Sequence, residues 1–150
     1  MITYLGGIIL KKIAVIYWSG TGNTEAMAKA VAEGAKTDNT DVTLLSVSEA
    51  TTDIVQNADA IAFGCPSMGA EVLEESEMEP FITSVEGLVS GKPVVLFGSY
   101  GWGNGEWMED WASRMTSGGA KLLSDGLIIM NAPDASGLED CKALGRKLSN

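Results

Sequence analysis

The sequence predicts an α/β protein: a doubly wound, five-stranded parallel sheet with helices on both faces. Three observations carry that expectation. Short apolar runs alternate with helix-length amphipathic stretches along the chain. The runs are continuously apolar rather than alternating, as in strands buried on both faces. The connections are short, and with right-handed crossovers that leaves a parallel sheet.

Residues 13–17 form the first such run, so the first strand is expected to begin at Lys11 or Lys12. A helix is predicted from about Asn23 to Ala35, with Met27 and Val31 at helical spacing and Gly34 where it would end. A second strand is expected at 42–47, then a short helix at 53–56 capped by Thr51 or Thr52. Residues 60–65 read as a third buried strand. An acidic loop then leads to a helix with Pro80 in its first turn and Phe81, Val85 and Leu88 as its apolar stripe. Residues 94–97 make the fourth strand. A glycine-rich loop precedes a helix with Trp107, Trp111 and Met115 on one face. The fifth strand, 122–130, is broken by Ser124-Asp125-Gly126, and the last helix follows Pro133 with Leu138, Cys141, Leu144 and Leu148 inward.

With 150 residues the chain makes one domain, taken as 11–150, with 1–10 as an extension of open purpose. That extension is apolar but short. It lacks a basic start and a small-residue cleavage site, so it reads neither as a signal peptide nor as a membrane span. The charge balance is acidic, 20 Asp and Glu against 10 Lys and Arg, a formal −10. Nucleic-acid binding needs a basic footprint and is not expected. Basic protein partners met by electrostatic steering are. Histidine is absent, which removes the commonest general base and metal ligand. Cys65 and Cys141 have no CxxC or zinc spacing and read as buried small hydrophobes of a reducing, cytoplasmic compartment.

In a doubly wound sheet ligands bind outside the carboxyl ends of the strands. The loops after strands one, three and four are the most unusual here. The first, Ser19-Gly20-Thr21-Gly22-Asn23-Thr24, follows a buried strand and opens a helix. Glycines let backbone N–H groups turn inward, the helix N-terminus adds positive potential, and hydroxyls and an amide add donors. That suits a phosphate dianion. The loop is neither a Walker loop, since it has no GxxxxGK[ST] lysine, nor a GxGxxG turn. In the third loop Trp102 lies between glycines, where an aromatic has no core to fill and wants a flat partner. Met68 in the second loop is an apolar contact for the opposite face of such a partner.

The stretch Tyr17-Trp18-Ser19-Gly20-Thr21-Gly22-Asn23-Thr24-Glu25 resembles the FMN-phosphate signature of flavodoxins. The second loop, Cys65-Pro66-Ser67-Met68-Gly69-Ala70-Glu71, and the third, Gly98-Ser99-Tyr100-Gly101-Trp102-Gly103-Asn104-Gly105, resemble the short-chain flavodoxins of anaerobic bacteria. The match runs from Lys12 to about Leu148, with no insertion in the fifth strand. The resemblance implies a flavodoxin-like fold with strand order 2-1-3-4-5 and non-covalently bound FMN. It also implies a low-potential one-electron carrier, not an enzyme, that cycles between semiquinone and hydroquinone. Such a carrier serves ferredoxin- or flavodoxin-dependent oxidoreductases and reductases in place of ferredoxin, as a monomer.

Carried over residue by residue, Ser19 to Thr24 hold the phosphate. Trp102 stacks on the solvent-side face of the ring and Met68 on the inner face. Pro66 and Ser67 lead into that contact. Glu71 accepts from the ring N3–H and the backbone of Gly69 and Ala70 faces N5. The loop Ser99, Tyr100, Gly101, Trp102, Gly103, Asn104 wraps the pyrimidine end. Family members often have Asp where Asn104 stands, and Gly, Asn or Asp where Ala70 stands. A turn needing positive φ at Ala70 is disfavoured by about 1 kcal/mol, so Ala70 is expected to favour the turn with positive φ on Gly69, which the resemblance implies for the semiquinone.

The run Glu71, Glu74, Glu75, Glu77, Glu79 is either a solvated face or a docking surface. A receiver domain would need an aspartate ending strand three, where Cys65-Pro66 stand. A Cys-x₅-Arg phosphatase fails because Glu71 is the sixth residue past Cys65. The competing reading is an FMN-dependent quinone reductase, for which no insertion or residue suggests a substrate pocket.

Overall fold

The computed structural model describes residues 3–5 and 8–150. Its elements are β1 (Thr3–Leu5), β2 (Ile8–Tyr17), α1 (Asn23–Ala35), β3 (Thr40–Ser46), a 3₁₀ turn (Val47–Glu49), α2 (Thr52–Asn57), β4 (Ala60–Gly64), α3 (Met78–Val85), β5 (Pro93–Tyr100), α4 (Glu106–Ser117), β6 (Lys121–Leu122), β7 (Leu127–Met130) and α5 (Ala135–Ser149). β3, β2, β4 and β5 pair in parallel in that spatial order, and β6 and β7 both pair with β5. Counting β6 and β7 as one interrupted strand, the order is 2-1-3-4-5.

Two strands run differently from the sequence reading. β2 reaches back to Ile8, and β1 pairs antiparallel with its first residues, Thr3 opposite Leu10. Part of the 1–10 extension therefore adds to the sheet, while Met1, Ile2, Gly6 and Gly7 lie outside the described residues. β5 extends to Tyr100, so Ser99 and Tyr100 belong to the strand and not to the loop after it.

The pleat sorts the core into two layers. Ile13 and Val15 of β2 face α1 and α5, packing with Met27, Val31, Cys141, Leu144 and Leu148. Ala14 and Ile16 face the other side, with Met78, Ile82, Trp107, Trp111 and Met115 of α3 and α4. The buried stripe of α3 is Met78, Ile82 and Val85, not Phe81, Val85 and Leu88. Phe81 is only partly buried, and Leu88 lies past the helix end. Pro80 lies in the first turn of α3, as expected, and the Glu74 carboxylate accepts from the N–H of Met78, the helix's first residue.

α1 ends at Ala35 as expected, with Gly34 in its last turn, but Gly34 there serves packing and not a left-handed stop. A Cβ there would stand 2.0 Å from the Lys142 carbonyl oxygen, and one on Gly145 would stand 2.0 Å from that of Val31. The two glycines let α1 and α5 approach backbone to backbone, which anchors the helix that the first loop opens. The break at Ser124-Asp125-Gly126 falls between β6 and β7, as expected.

Candidate cofactor site

The carboxyl ends of β2, β4, β5 and β7 are laced together beyond the strands proper. Trp18 donates its N–H to the Gly64 carbonyl at 3.0 Å, Cys65 to Phe97 at 3.1 Å, Ser67 to Ser99 at 3.0 Å and Asn131 to Tyr100 at 2.7 Å. These bonds set the three loops against one another. Between them lies a cleft of about 280 Å³. It is lined by Ser19, Gly20, Thr21, Asn23 and Thr24 of the first loop and by Pro66, Ser67 and Met68 of the second. Ser99, Tyr100 and Gly101 close its third side.

The first loop turns on Gly22, whose φ of 99° places it in the left-handed region directly before α1. Gly22 donates its N–H to the Ser19 hydroxyl at 3.1 Å, which fixes the turn. Thr24 is buried, and its hydroxyl lies 3.2 Å from that of Ser99, so the start of α1 is tied to β5. The cleft has no basic residue among its described lining, so an anion there would meet only neutral donors and the α1 N-terminus. The Ser67 hydroxyl, also on the lining, is buried without a hydrogen-bond partner among the described residues. A polar ligand would satisfy it.

The second loop is a tight turn. Met68 and Val72 exchange backbone hydrogen bonds, both 2.9 Å, around Gly69, Ala70 and Glu71. Positive φ falls on Gly69 (50°) and Glu71 (56°), and not on Ala70. The backbone thus takes the arrangement that alanine tolerates. Glu71 Oε1 accepts from the backbone N–H of Gly105 at 3.0 Å and of Glu106 at 3.2 Å, capping α4 and joining the second loop to the third.

In the third loop Trp102 is 59% exposed. Tyr100 behind it rests on Trp107, their ring centroids 5.8 Å apart, and Trp107 donates its indole N–H to the Cys65 carbonyl at 3.0 Å. The buried tryptophan is thus the post on which the second and third loops lean. Gly22, Gly69, Ala70, Glu71, Trp102, Gly103 and Asn104 lie outside the cleft lining, at its rim or beyond. Two lining residues were missed by the sequence reading. Trp18 offers its indole N–H to Glu77 at 3.3 Å, and Asn131 follows β7 with a φ of 58°. A non-glycine residue with positive φ at a strand's carboxyl end is a site signal, but one that sequence alone does not print.

The acidic run divides by role. Glu74 is buried and accepts from the N–H groups of Glu77 (2.7 Å), Ser76 (2.8 Å) and Met78 (3.0 Å). Burial opposes its charge, but those N–H groups hold the carboxyl below its ordinary range. Glu79 is paired with Arg114 at 2.7 Å, and Arg114 also reaches Glu86 at 2.7 Å, tying α3 to α4. Only Glu75 and Glu77 remain fully at the surface. Both cysteines are buried and free, and burial pushes each thiol up to about 12, which leaves them inert.

The family model for flavodoxins matches residues 15–145, most of the chain. The chain belongs to the flavodoxin family. It is 47% identical over 136 residues to a flavodoxin of Clostridium beijerinckii, covering 91% of this chain and 98% of the relative. Identity to a Megasphaera elsdenii flavodoxin is 44% over 133 residues, covering 89% and 95%. Among solved structures, that of the two-electron reduced Megasphaera elsdenii flavodoxin superposes with a TM-score of 0.82, covering 91% of this chain and 98% of the other. A flavodoxin from the domain Archaea, 33% identical, gives 0.85 with coverage of 92% and 96%. Flavodoxins are FMN-binding electron carriers rather than enzymes, and this flavodoxin is one such electron-transfer protein with FMN as its cofactor. That role implies redox partners. Among the described residues no helix is long and apolar enough to cross a membrane.

Proposed function

We propose that this flavodoxin is a low-potential one-electron carrier, a cytoplasmic monomer that serves basic-surfaced redox enzymes in place of ferredoxin. FMN, when bound, supplies the redox chemistry by accepting and giving up one electron at a time. On this reading residues 11–150 are the FMN-binding domain, and 1–10 are an extension whose residues 3–5 and 8–10 add to its sheet.

The observation that carries this reading is the cation-free cleft at the carboxyl edge of the sheet, beside an exposed tryptophan. Ser19, Gly20, Thr21, Gly22, Asn23 and Thr24 would hold the phosphate. Met68 and Trp102 would flank the ring, with Pro66 and Ser67 beneath it. Glu71 would accept from the ring N3–H, Gly69 and Ala70 would face N5, and Ser99, Tyr100, Gly101, Gly103 and Asn104 would enclose the pyrimidine end. Neutral donors leave added negative charge on the ring uncompensated. A carboxylate about 10 Å away opposes such charge by roughly 1–2 kcal/mol at an effective dielectric near 20. A net charge of −10 supports both the low potential and the choice of basic partners.

Titration of the FMN-free protein with FMN and with riboflavin tests the cradle, because riboflavin lacks only the phosphate. FMN should bind at least about a hundredfold more tightly, as several charge-assisted hydrogen bonds would give. Equal affinity would contradict the assignment of residues 19–24. Size-exclusion chromatography should give the mass of one chain, and the mass of two would contradict the monomer.

A further inference from the structure

A second cleft, about 560 Å³, lies on the far side of α4 from the α3 contact, between that helix and the interrupted fifth strand. Its floor is apolar, made by Met108 and Ala112 of α4 with Leu122 and Ile128 of β6 and β7. Its rim carries the exposed carboxylates Glu109 and Asp125, and none of its described lining residues is basic. One end is formed by Asn104 and Gly105, which close the loop that carries Trp102. Ser124 also lines it, and the Ser124 hydroxyl is buried without a hydrogen-bond partner among the described residues.

An apolar floor, a carboxylate rim and an unmatched hydroxyl together suit a side chain with an aliphatic stem and a cationic, hydrogen-bonding head. The chain's excess of negative charge directs such groups toward it. We propose that this cleft seats an arginine or lysine side chain of the redox partner and so anchors the partner beside the Trp102 loop. The inference rests on the carrier reading above and names a contact that acts after steering has brought the two proteins together. Steering depends on total charge. The anchor depends on the shape and rim of this one cleft.

The test uses the FMN-loaded, reduced protein and ferric cytochrome c, a basic haem protein, as the probe. One electron leaves the flavin and reduces Fe(III) to Fe(II), followed in a stopped-flow spectrometer at low ionic strength. Three variants are compared: Glu109→Gln with Asp125→Asn, Asp38→Asn with Asp53→Asn, and Ala112→Leu. Asp38 and Asp53 are exposed near the amino ends of the strands, so the second pair removes the same charge elsewhere. Ala112→Leu narrows the cleft without changing charge. The rim pair should slow transfer by about fivefold or more and the control pair by less than about twofold, as expected for a contact charge against a distant one. Ala112→Leu should also slow it, with the FMN spectrum unchanged.

Equal slowing by the two pairs, or no effect of Ala112→Leu, would overturn the anchor. A second readout is independent of folding in any variant. Hexylguanidinium added to the unaltered protein should shift the amide signals of Met108, Ala112 and Leu122, and shifts confined to other acidic surfaces would overturn it too. Failure of the carrier reading would show separately, as absent FMN uptake or absent electron transfer in the unaltered protein.

Discussion

The Glu71 carboxylate and the Gly105 backbone N–H, 3.0 Å apart, join the turn after β4 to the start of α4. Through that bond the loop bearing Met68 and the loop bearing Trp102 are held by one side chain. Replacing Glu71 with Ala should weaken FMN binding about ten- to a hundredfold, since hydrogen bonds to a charged group contribute about 1.5–3 kcal/mol. Glu71→Gln keeps an acceptor oxygen and should cost less. Fluorescence titration with FMN measures both. Equal losses in the two variants would argue that charge alone matters there.

Positive φ on Gly69 and not on Ala70 leads to a second expectation. Replacing Ala70 with Gly removes the penalty of about 1 kcal/mol against the alternative turn, and should lower the potential of the first one-electron step by about 40 mV. Spectroelectrochemistry reads this directly. An unchanged or raised potential would show that the turn is set by something other than residue 70.

Glu74 should matter to stability in a pH-dependent way. Its carboxyl is held below the ordinary range when folded, so the stabilisation is present above the unfolded value of about 4.3 and is lost as pH falls through the folded one. Glu74→Gln should cost about 1–2 kcal/mol near neutral pH, with the gap to the unaltered protein closing on acidification. Urea denaturation at several pH values tests it.

The thiols of Cys65 and Cys141 should stay silent. Both are buried with thiols pushed up to about 12, so iodoacetamide at neutral pH should label neither until the protein unfolds. Labelling of the folded protein would show that one of them opens to solvent.

The place of Ser19 to Thr24 on the cleft was legible because their glycines and hydroxyls sit directly between a buried apolar run and a helix, a local pattern that states its own geometry. Trp102 was legible because nothing near it in sequence could bury it. Asn131 was not, because its place in the cleft depends on pairing between β5 and β7, which are distant in the chain. The acidic run misled for a related reason. Glu74 and Glu79 look like surface charges in sequence, yet one caps α3 and the other pairs with Arg114 on α4. The true stripe of α3, Met78, Ile82 and Val85, lay three residues before the expected one, with Val85 common to both. An apolar pattern of three residues does not fix a helix's rotation until its neighbour α4 is in place.

The most direct measurement is the visible spectrum of the FMN-loaded protein during stepwise anaerobic reduction. The yellow flavin should pass through an abundant blue, one-electron-reduced form before bleaching. Direct bleaching to the two-electron form would contradict the one-electron carrier and favour an FMN-dependent reductase, and failure to bind FMN at all would contradict the cleft assignment itself.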